Sequence, residues 1–361
     1  MKKTFILIIV IVIVIGLGFL VSNRSKQKGD IVPIKLGVIA GTTGQYAPAG
    51  EGYLKGFNLA LGQWNASSSP KFTAVIEDDG FDAVKGLSAY QKLSSADKVD
   101  AYAILSSFTI DAIYDLVHQE AKPVALGFEQ SKPAENDNIF QVLPAAKPIQ
   151  FALGQKIKEL GKVKPVAAVS NNTPVYQNFY DGFKDGFGSE VKKFEIGSDV
   201  TGIRSQALAI MAAKPDEVAF FMAPKDGAIL VKELLKIKTP HPDFVFDQSI
   251  QSGATDYQTI LGLDFAKIDG SLVSMSKNDF IPDFTQAFKD KYNEEPPFGS
   301  DMGYNSFMLL ANTYDRDSQK WIGNMRTAKF VGADGEVSFD TLGLRVPNIF
   351  FGKLKDGKVI N

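Results

Sequence analysis

The sequence predicts an α/β protein built as two lobes, each a doubly wound parallel sheet with helices on both faces. Short apolar runs of strand length alternate with apolar stripes at helical spacing along most of the chain. That alternation restarts after Leu143-Pro144. The chain has 361 residues, enough for two domains of ordinary size. A strand followed by a crossover helix brings the next strand in parallel, so repeated alternation implies parallel sheets rather than hairpins.

The elements follow in order. Residues 34–40 read as a buried strand, and Tyr53, Phe57, Ala60, Leu61 and Trp64 then share one helix face. Residues 72–76 form the next strand, and Ala83, Val84, Leu87 and Tyr90 stripe a second helix. A strand at 101–105, a helix at 109–120 and a strand at 123–126 continue the pattern. Past the restart, Phe151, Leu153, Ile157 and Leu160 mark a helix, 166–169 a strand and 176–187 a helix rich in Phe and Gly. Strand 218–222, helix 228–235 and strand 244–246 follow. A third stretch begins near Ser274, with helices around 284–292 and 304–314 and a β-rich tail from Phe330.

Composition excludes several function classes. The 39 Lys and Arg nearly balance the 41 Asp and Glu, and no basic stripe stands out, which argues against nucleic acid as a partner. With zero cysteines there is no disulfide, no thiolate metal site, no cysteine nucleophile and no N-terminal cysteine to lipidate. His118 and His241 are the whole histidine complement, so a His-rich metal site or a Ser-His triad lacks material; Ser249 and Ser252 have no sensible His partner.

Lys2 and Lys3 precede an uncharged run over 5–21, the layout of an export signal. The run is near the lower length limit for a spanning helix, and no small-x-small cleavage site follows it. An uncleaved membrane anchor is therefore expected in preference to a removed signal peptide, with a polar tether from Ser22 to Asp30.

Two segments carry a family resemblance. One is Thr43-Gly44-Gln45-Tyr46-Ala47-Pro48-Ala49-Gly50 leading to Lys55-Gly56-Phe57-Asn58-Leu59-Ala60. The other is Phe330-Val331-Gly332-Ala333-Asp334-Gly335-Glu336-Val337-Ser338-Phe339-Asp340, with Gly343 beyond it. Together they resemble the leucine/isoleucine/valine-binding proteins that serve ABC importers. The resemblance implies a type I periplasmic-binding-protein fold, with passages between lobes expected near 143–146, 274–277 and 328–331. That places residues 31–144 with 275–329 in the first lobe and 145–274 with 330–361 in the second, after an anchor and tether over 1–30. It also implies capture of a small solute, an amino acid of branched-chain type, outside the cytoplasmic membrane. Handover to ABC permease subunits, a monomer, no cofactor and no reaction go with that reading. A membrane-anchored sensor using the same fold without transport is the alternative.

The candidate site residues sit after predicted strands. Ser106-Ser107 opens a helix, whose first N–H groups lack intrahelical partners and attract anions. An ordinary N-cap explains these residues equally well; the resemblance assigns Ser107 to a ligand carboxylate. By the same resemblance Phe128 offers its carbonyl to a ligand ammonium. Gln130 stands where a Thr or Ser hydroxyl is usual. Tyr176 closes over the ligand, though it could also pack the helix start. The ammonium's counter-charge falls on Gln248 in an ungapped register or on Asp247 one residue earlier; Asp247 could also be a plain turn residue. The resemblance also implies that Tyr46 and Ala49 belong to a loop that faces the cleft.

Two motifs have competing readings. Gly50-x-Gly52-x-x-x-Gly56 invites a dinucleotide site, but its spacing differs from G-x-G-x-x-G, and close helix packing explains it as well. Glu77-Asp78-Asp79 offers paired acids, read here as groups that cap and orient the next helix.

Overall fold

Parallel strands separated by helices form two sheets, as the alternation requires. The structure is a computed structural model. It describes residues 32–360 except 45, 172–173, 198–201, 238–239 and 278. The expected anchor over 5–21 and its tether lie outside the described residues. Among those residues no helix is long and apolar enough to cross a membrane.

The first sheet is built from β1 (Ile34–Ile39), β2 (Phe72–Glu77), β3 (Ala101–Ile104), β4 (Val124–Leu126) and β5 (Ile139–Pro144). Its helices are α1 (Ala47–Ser67), α2 (Ala83–Gln91) and α3 (Ser107–Glu120). The strand order is β5-β4-β3-β1-β2, all parallel, with one more short strand beyond β5. Every residue of β3 is buried, which is why that strand reads as an unbroken apolar run rather than an alternating one.

The second sheet collects β6 (Pro165–Ser170), β7 (Lys192–Ile196), β8 (Glu217–Phe221), β9 (Asp243–Asp247) and β10 (Leu272–Ser276). Its helices are α4 (Ala146–Glu159), α5 (Pro174–Phe187), α6 (Ile203–Ala212), α7 (Pro224–Leu235), the short α8 (Ser249–Ser252) and α9 (Ala254–Leu261). The order is β10-β9-β8-β6-β7, again parallel. Helices α10 (Pro282–Tyr292), α11 (Ser300–Thr313) and α12 (Ser318–Arg326) return to the first sheet. There Phe307, Leu310 and Trp321 join the core built on Leu36, Phe57 and Phe72.

The glycine motif is a packing surface. A Cβ on Gly50 would stand 1.8 Å from the carbonyl oxygen of Gly41. On Gly52 it would meet the Phe298 oxygen at 2.2 Å, and on Gly56 the Ser300 oxygen at 1.8 Å. The backbone of α11 and the loop before it fill the space that a dinucleotide phosphate would need. The Phe-and-Gly helix α5 works the same way against α4, where a Cβ on Gly186 would lie 1.8 Å from the Phe151 oxygen.

The tail divides differently from the expectation. Strands β11 (Lys329–Gly332) and β12 (Gly335–Ser338) form an antiparallel hairpin, and β13 (Leu344–Arg345) joins the first sheet beside β5. Phe330 and Phe339 pack on the first-lobe core. Only then do β14 (Ile349–Lys355) and β15 (Lys358–Ile360) add two antiparallel strands to the second sheet. The last passage therefore lies at 346–348, not at 328–331, and 330–345 stays with the first sheet. The cause is a buried ion pair: Arg345 Nη1 donates to Asp334 Oδ2 at 2.9 Å and to the Val142 carbonyl at 3.1 Å. It fastens the hairpin and β13 to β5.

Candidate functional site

In doubly wound sheets the C-terminal strand ends carry the ligand loops. Here those loops follow β1, β3 and β4 in the first lobe and β6, β8 and β9 in the second. The two rims meet, since Asn178 Nδ2 at the start of α5 donates to the Ser131 carbonyl at 3.4 Å.

On the first-lobe rim, Ser106 is the N-cap of α3, and its Oγ accepts from the N–H groups of Phe108 at 3.2 Å and Thr109 at 3.4 Å. Ser107 is the first helical residue, and its hydroxyl donates to the Glu129 carbonyl at 2.7 Å. The serine singled out for a carboxylate thus has its proton committed within its own lobe, and capping falls to its neighbour. Phe128 lays its ring near Phe298, 6.1 Å between centroids, and 6.0 Å from Phe81, whose ring takes the edge of Tyr46 at 5.2 Å. Tyr46 is 49% exposed and Phe298 58%, so these four rings make a partly exposed aromatic row on the first lobe.

Gln130 does not join that row. It is buried, its N–H donates to Gln141 Oε1 at 2.7 Å and its Nε2 to Asp137 Oδ2 at 2.9 Å. Asp137 in turn faces His118 Nε2 at 2.8 Å. The substitution of Gln for a hydroxyl residue is explained by this inward network.

The acid run after β2 is structural. Asp78 accepts from the Thr42 N–H at 2.8 Å and the Thr43 hydroxyl at 2.7 Å, and so holds the loop that leads to Tyr46. Asp79, fully buried, takes the Thr109 hydroxyl of α3. Capping of α2 falls to Asp82, which accepts from Val84 and Lys85 N–H groups.

On the second-lobe rim Asp247 ends β9 and is 2% exposed. Its Oδ1 accepts from the Ser249 N–H at 2.7 Å, while Oδ2 has no partner. Burial pushes its pKa up to about 6, against the opposing bonds from Ser249. Gln248 is the half-buried cap residue of α8, so the buried member of the pair is Asp247. Tyr176 stands half-buried in the first turn of α5, edge-on to Phe179 at 5.7 Å. Burial, then the nearby charges of Asp247 and Asp226 and the facing Tyr46, raise its hydroxyl pKa.

Sequence reasoning missed four residues near the two rims: Phe81 and Phe298 on the first lobe, and Asp226 in the first turn of α7 and Tyr257 on α9 on the second. Asp226 follows a strand end just as Asp247 does, and that rule applied to β8 would have found it. Among the described residues no group of three or more His, Asp or Glu is arranged to hold a metal. A separate hollow of about 470 Å³ opens at the opposite, N-terminal end of the second sheet. There Lys162 pairs with both Glu217 and Asp243.

These burials set a pH dependence. Glu129 is 8% exposed, accepts from the Ala146 N–H at 3.3 Å and from Gln141 Nε2 at 3.2 Å, and has its pKa raised by burial to about 7. Burial raises Glu217 to about 7 as well, partly offset by Lys162. A carboxyl whose folded pKa exceeds its unfolded value adds stability below the unfolded value, and that stability is lost as pH rises through the folded one. Asp247, Glu129 and Glu217 all act in this sense. Apo-protein stability is expected to fall from pH 5 to pH 8, with a lower Tm at the upper end. Calorimetric melting across that range checks it, and a Tm that climbs with pH would sink the argument. Replacing Glu129 with Gln should flatten the slope.

A family model described as periplasmic binding protein matches residues 33–358. A comparison with curated proteins finds no match. Among solved structures, a solute-binding protein of an R. palustris ABC transporter, in complex with benzoate, is 20% identical with a TM-score of 0.71, over 91% of this chain and 95% of that one. A branched-chain amino acid transporter substrate-binding protein from Streptococcus pneumoniae, in complex with isoleucine, is 18% identical with a TM-score of 0.70, over 91% and 97%. A leucine-binding protein from Thermotoga maritima is 17% identical with a TM-score of 0.71, over the same shares of 91% and 97%. The match over 33–358, together with two doubly wound sheets whose C-terminal rims meet, assigns the chain to the periplasmic binding protein family.

Proposed function

We propose that this protein captures an amino acid outside the cytoplasmic membrane and hands it to an ABC permease, working as a monomer anchored by residues 5–21. The observation that carries the ligand class is Asp247, a buried carboxylate with one oxygen unpartnered at a strand end of the second lobe. A buried unpaired charge is costly, and a ligand ammonium would supply the missing partner. The solved relatives hold benzoate in one case and isoleucine in another. Of these two, only the second carries an ammonium for such a carboxylate. The N-terminus of α3, capped by Ser106, supplies the complementary pole for a carboxylate. The Phe128 carbonyl, the Tyr46 and Tyr176 rings and the cap residue Gln248 complete the proposed pocket. The lobes are taken to close over it about the passages at 144–146, 276–277 and 346–348.

Titration calorimetry with a panel of amino acids, followed by small-angle scattering at saturation, tests the whole reading. The expected result is at least one tight binder and a smaller radius of gyration with it bound. A panel without a binder, or an unchanged radius at saturation, rejects capture by closure.

A further inference from the structure

Glu129 touches both lobes. It sits in the loop after β4, 8% exposed, between Phe128 and Gln130. Its Oε1 accepts from the N–H of Ala146 at 3.3 Å. Ala145 is still held to the first sheet, where its N–H donates to the Arg345 carbonyl at 3.0 Å. Ala146 opens α4, and α4 belongs to the second lobe: its Leu153 and Ile157 pack with Ala167, Val169 and Phe183. Helix α4 has no side-chain cap at Ala145 and no acid in its first turn. A first-lobe carboxylate takes the place of that cap across the first passage, at the helix end that favours negative charge.

The same residue holds the first-lobe rim. Its carbonyl accepts from the Ser107 hydroxyl at 2.7 Å, at the start of α3. Its Oε2 accepts from Gln141 Nε2 at 3.2 Å, and Gln141 Oε1 accepts in turn from the Gln130 N–H at 2.7 Å. The Phe128 N–H donates to the Leu105 carbonyl at the end of β3, at 3.0 Å. One continuous set of hydrogen bonds runs from the start of α3, through Glu129, to the start of α4.

An ionised carboxylate answers both side-chain partners, and an amide does not. The Ala146 N–H and Gln141 Nε2 are both donors, so the group between them must accept twice. Gln141 is not free to turn over, because its Nε2 also donates to the Leu143 carbonyl at 2.9 Å and its Oε1 is taken by Gln130. A Gln at position 129 would accept once and turn its NH2 toward the other donor. Burying a charge is costly. Among the described residues the groups that favour the charged form of Glu129 are these two donors, not a cation.

We infer that Glu129 is a positioning residue for capture: it couples the rim loop 128–130 to the start of α4, so that a solute seated against the loop restrains the second lobe at the first passage. The inference rests on the reading of the cleft as an amino-acid site that closes. The test is hydrogen–deuterium exchange of the full-length protein as wild type, Glu129→Gln and Glu129→Asp. Each is measured empty and saturated with the tightest binder that calorimetry finds among the standard amino acids. Circular dichroism establishes that the variants are folded at the temperature used. In the wild type the amino acid is expected to slow exchange in both 128–131 and 146–149. In Glu129→Gln it should slow exchange in 128–131 only, and affinity should fall about 3- to 30-fold. Glu129→Asp keeps the charge but is one methylene too short to reach both donors, and it is expected to show the same split. Wild-type protection confined to 128–131, protection that still reaches 146–149 in both variants, or unchanged affinity in both overturns the inference and leaves the amino-acid reading standing. Failure of every amino acid to bind the wild-type protein overturns both.

Discussion

Asp247→Asn is expected to cost about 2–5 kcal/mol of amino-acid affinity, roughly 30- to 5,000-fold in Kd. The carboxylate is 2% exposed, anchored through one oxygen to the Ser249 N–H, with the other oxygen free. An amide in its place keeps the shape and can keep the Ser249 bond. It removes the negative charge that a desolvated ammonium needs. The loss should therefore track the ammonium: a deaminated analogue of the same amino acid should lose far less. The pH profile gives a second signature. With a pKa of about 6 in the empty protein, Asp247 takes up a proton as pH falls below that value, and the proton competes with the ligand. Wild-type affinity should weaken from pH 7 to pH 5, and the Asn variant should lack that trend. Calorimetric titration at both pH values checks both points. Equal losses for the amino acid and its deaminated analogue would remove Asp247 from the ammonium.

The alternation of strands and helices was legible because burial on both sheet faces leaves a continuous apolar run, and crossover helices leave stripes. The site was legible as positions, since each candidate follows a strand end, but less so as roles. Ser106 and Ser107 are both suitable helix openers, and which one caps depends on a single residue of register that only the backbone fixes. Gln130 looks like a ligand group by position. It turns inward because Asp137 and Gln141, more distant in sequence, supply its partners. Asp226 was passed over because an acid in the first turn of a helix is ordinary there, complementing the helix dipole. The tail misled for a similar reason. Its hairpin and its last strands read as one β-rich unit, yet the Arg345–Asp334 pair holds the first part in the other lobe.

That pair is the basis of the last expected result, a loss of about 3–5 kcal/mol in stability for Arg345→Met. Arg345 is 2% exposed. Its guanidinium donates to Asp334 at 2.9 Å, to the Val142 carbonyl at 3.1 Å and to the Glu336 carbonyl at 3.0 Å. Val142 lies just before the first passage between lobes and Arg345 just before the last, so one side chain ties together two of the connections. Asp334 also accepts from Asn305 Nδ2 at 2.8 Å, which joins the knot to α11. Methionine fills similar space but leaves the Asp334 carboxylate buried without its countercharge. Asp301 is close by, its pKa already raised by burial and then by Asp334, with Arg345 working in the opposite direction. Without the guanidinium the Asp301 carboxyl loses the group that opposes its protonation. Two results follow. The Tm should drop by roughly 6–20 °C at pH 7. Adding Asp334→Asn to Arg345→Met should recover part of the loss, because the main cost is the stranded charge rather than the missing arginine. Thermal melts of the two single variants and the double variant close the cycle. A single variant that melts within a degree of wild type, or a double variant whose losses simply add, would show that the ion pair does not hold the tail in the first lobe.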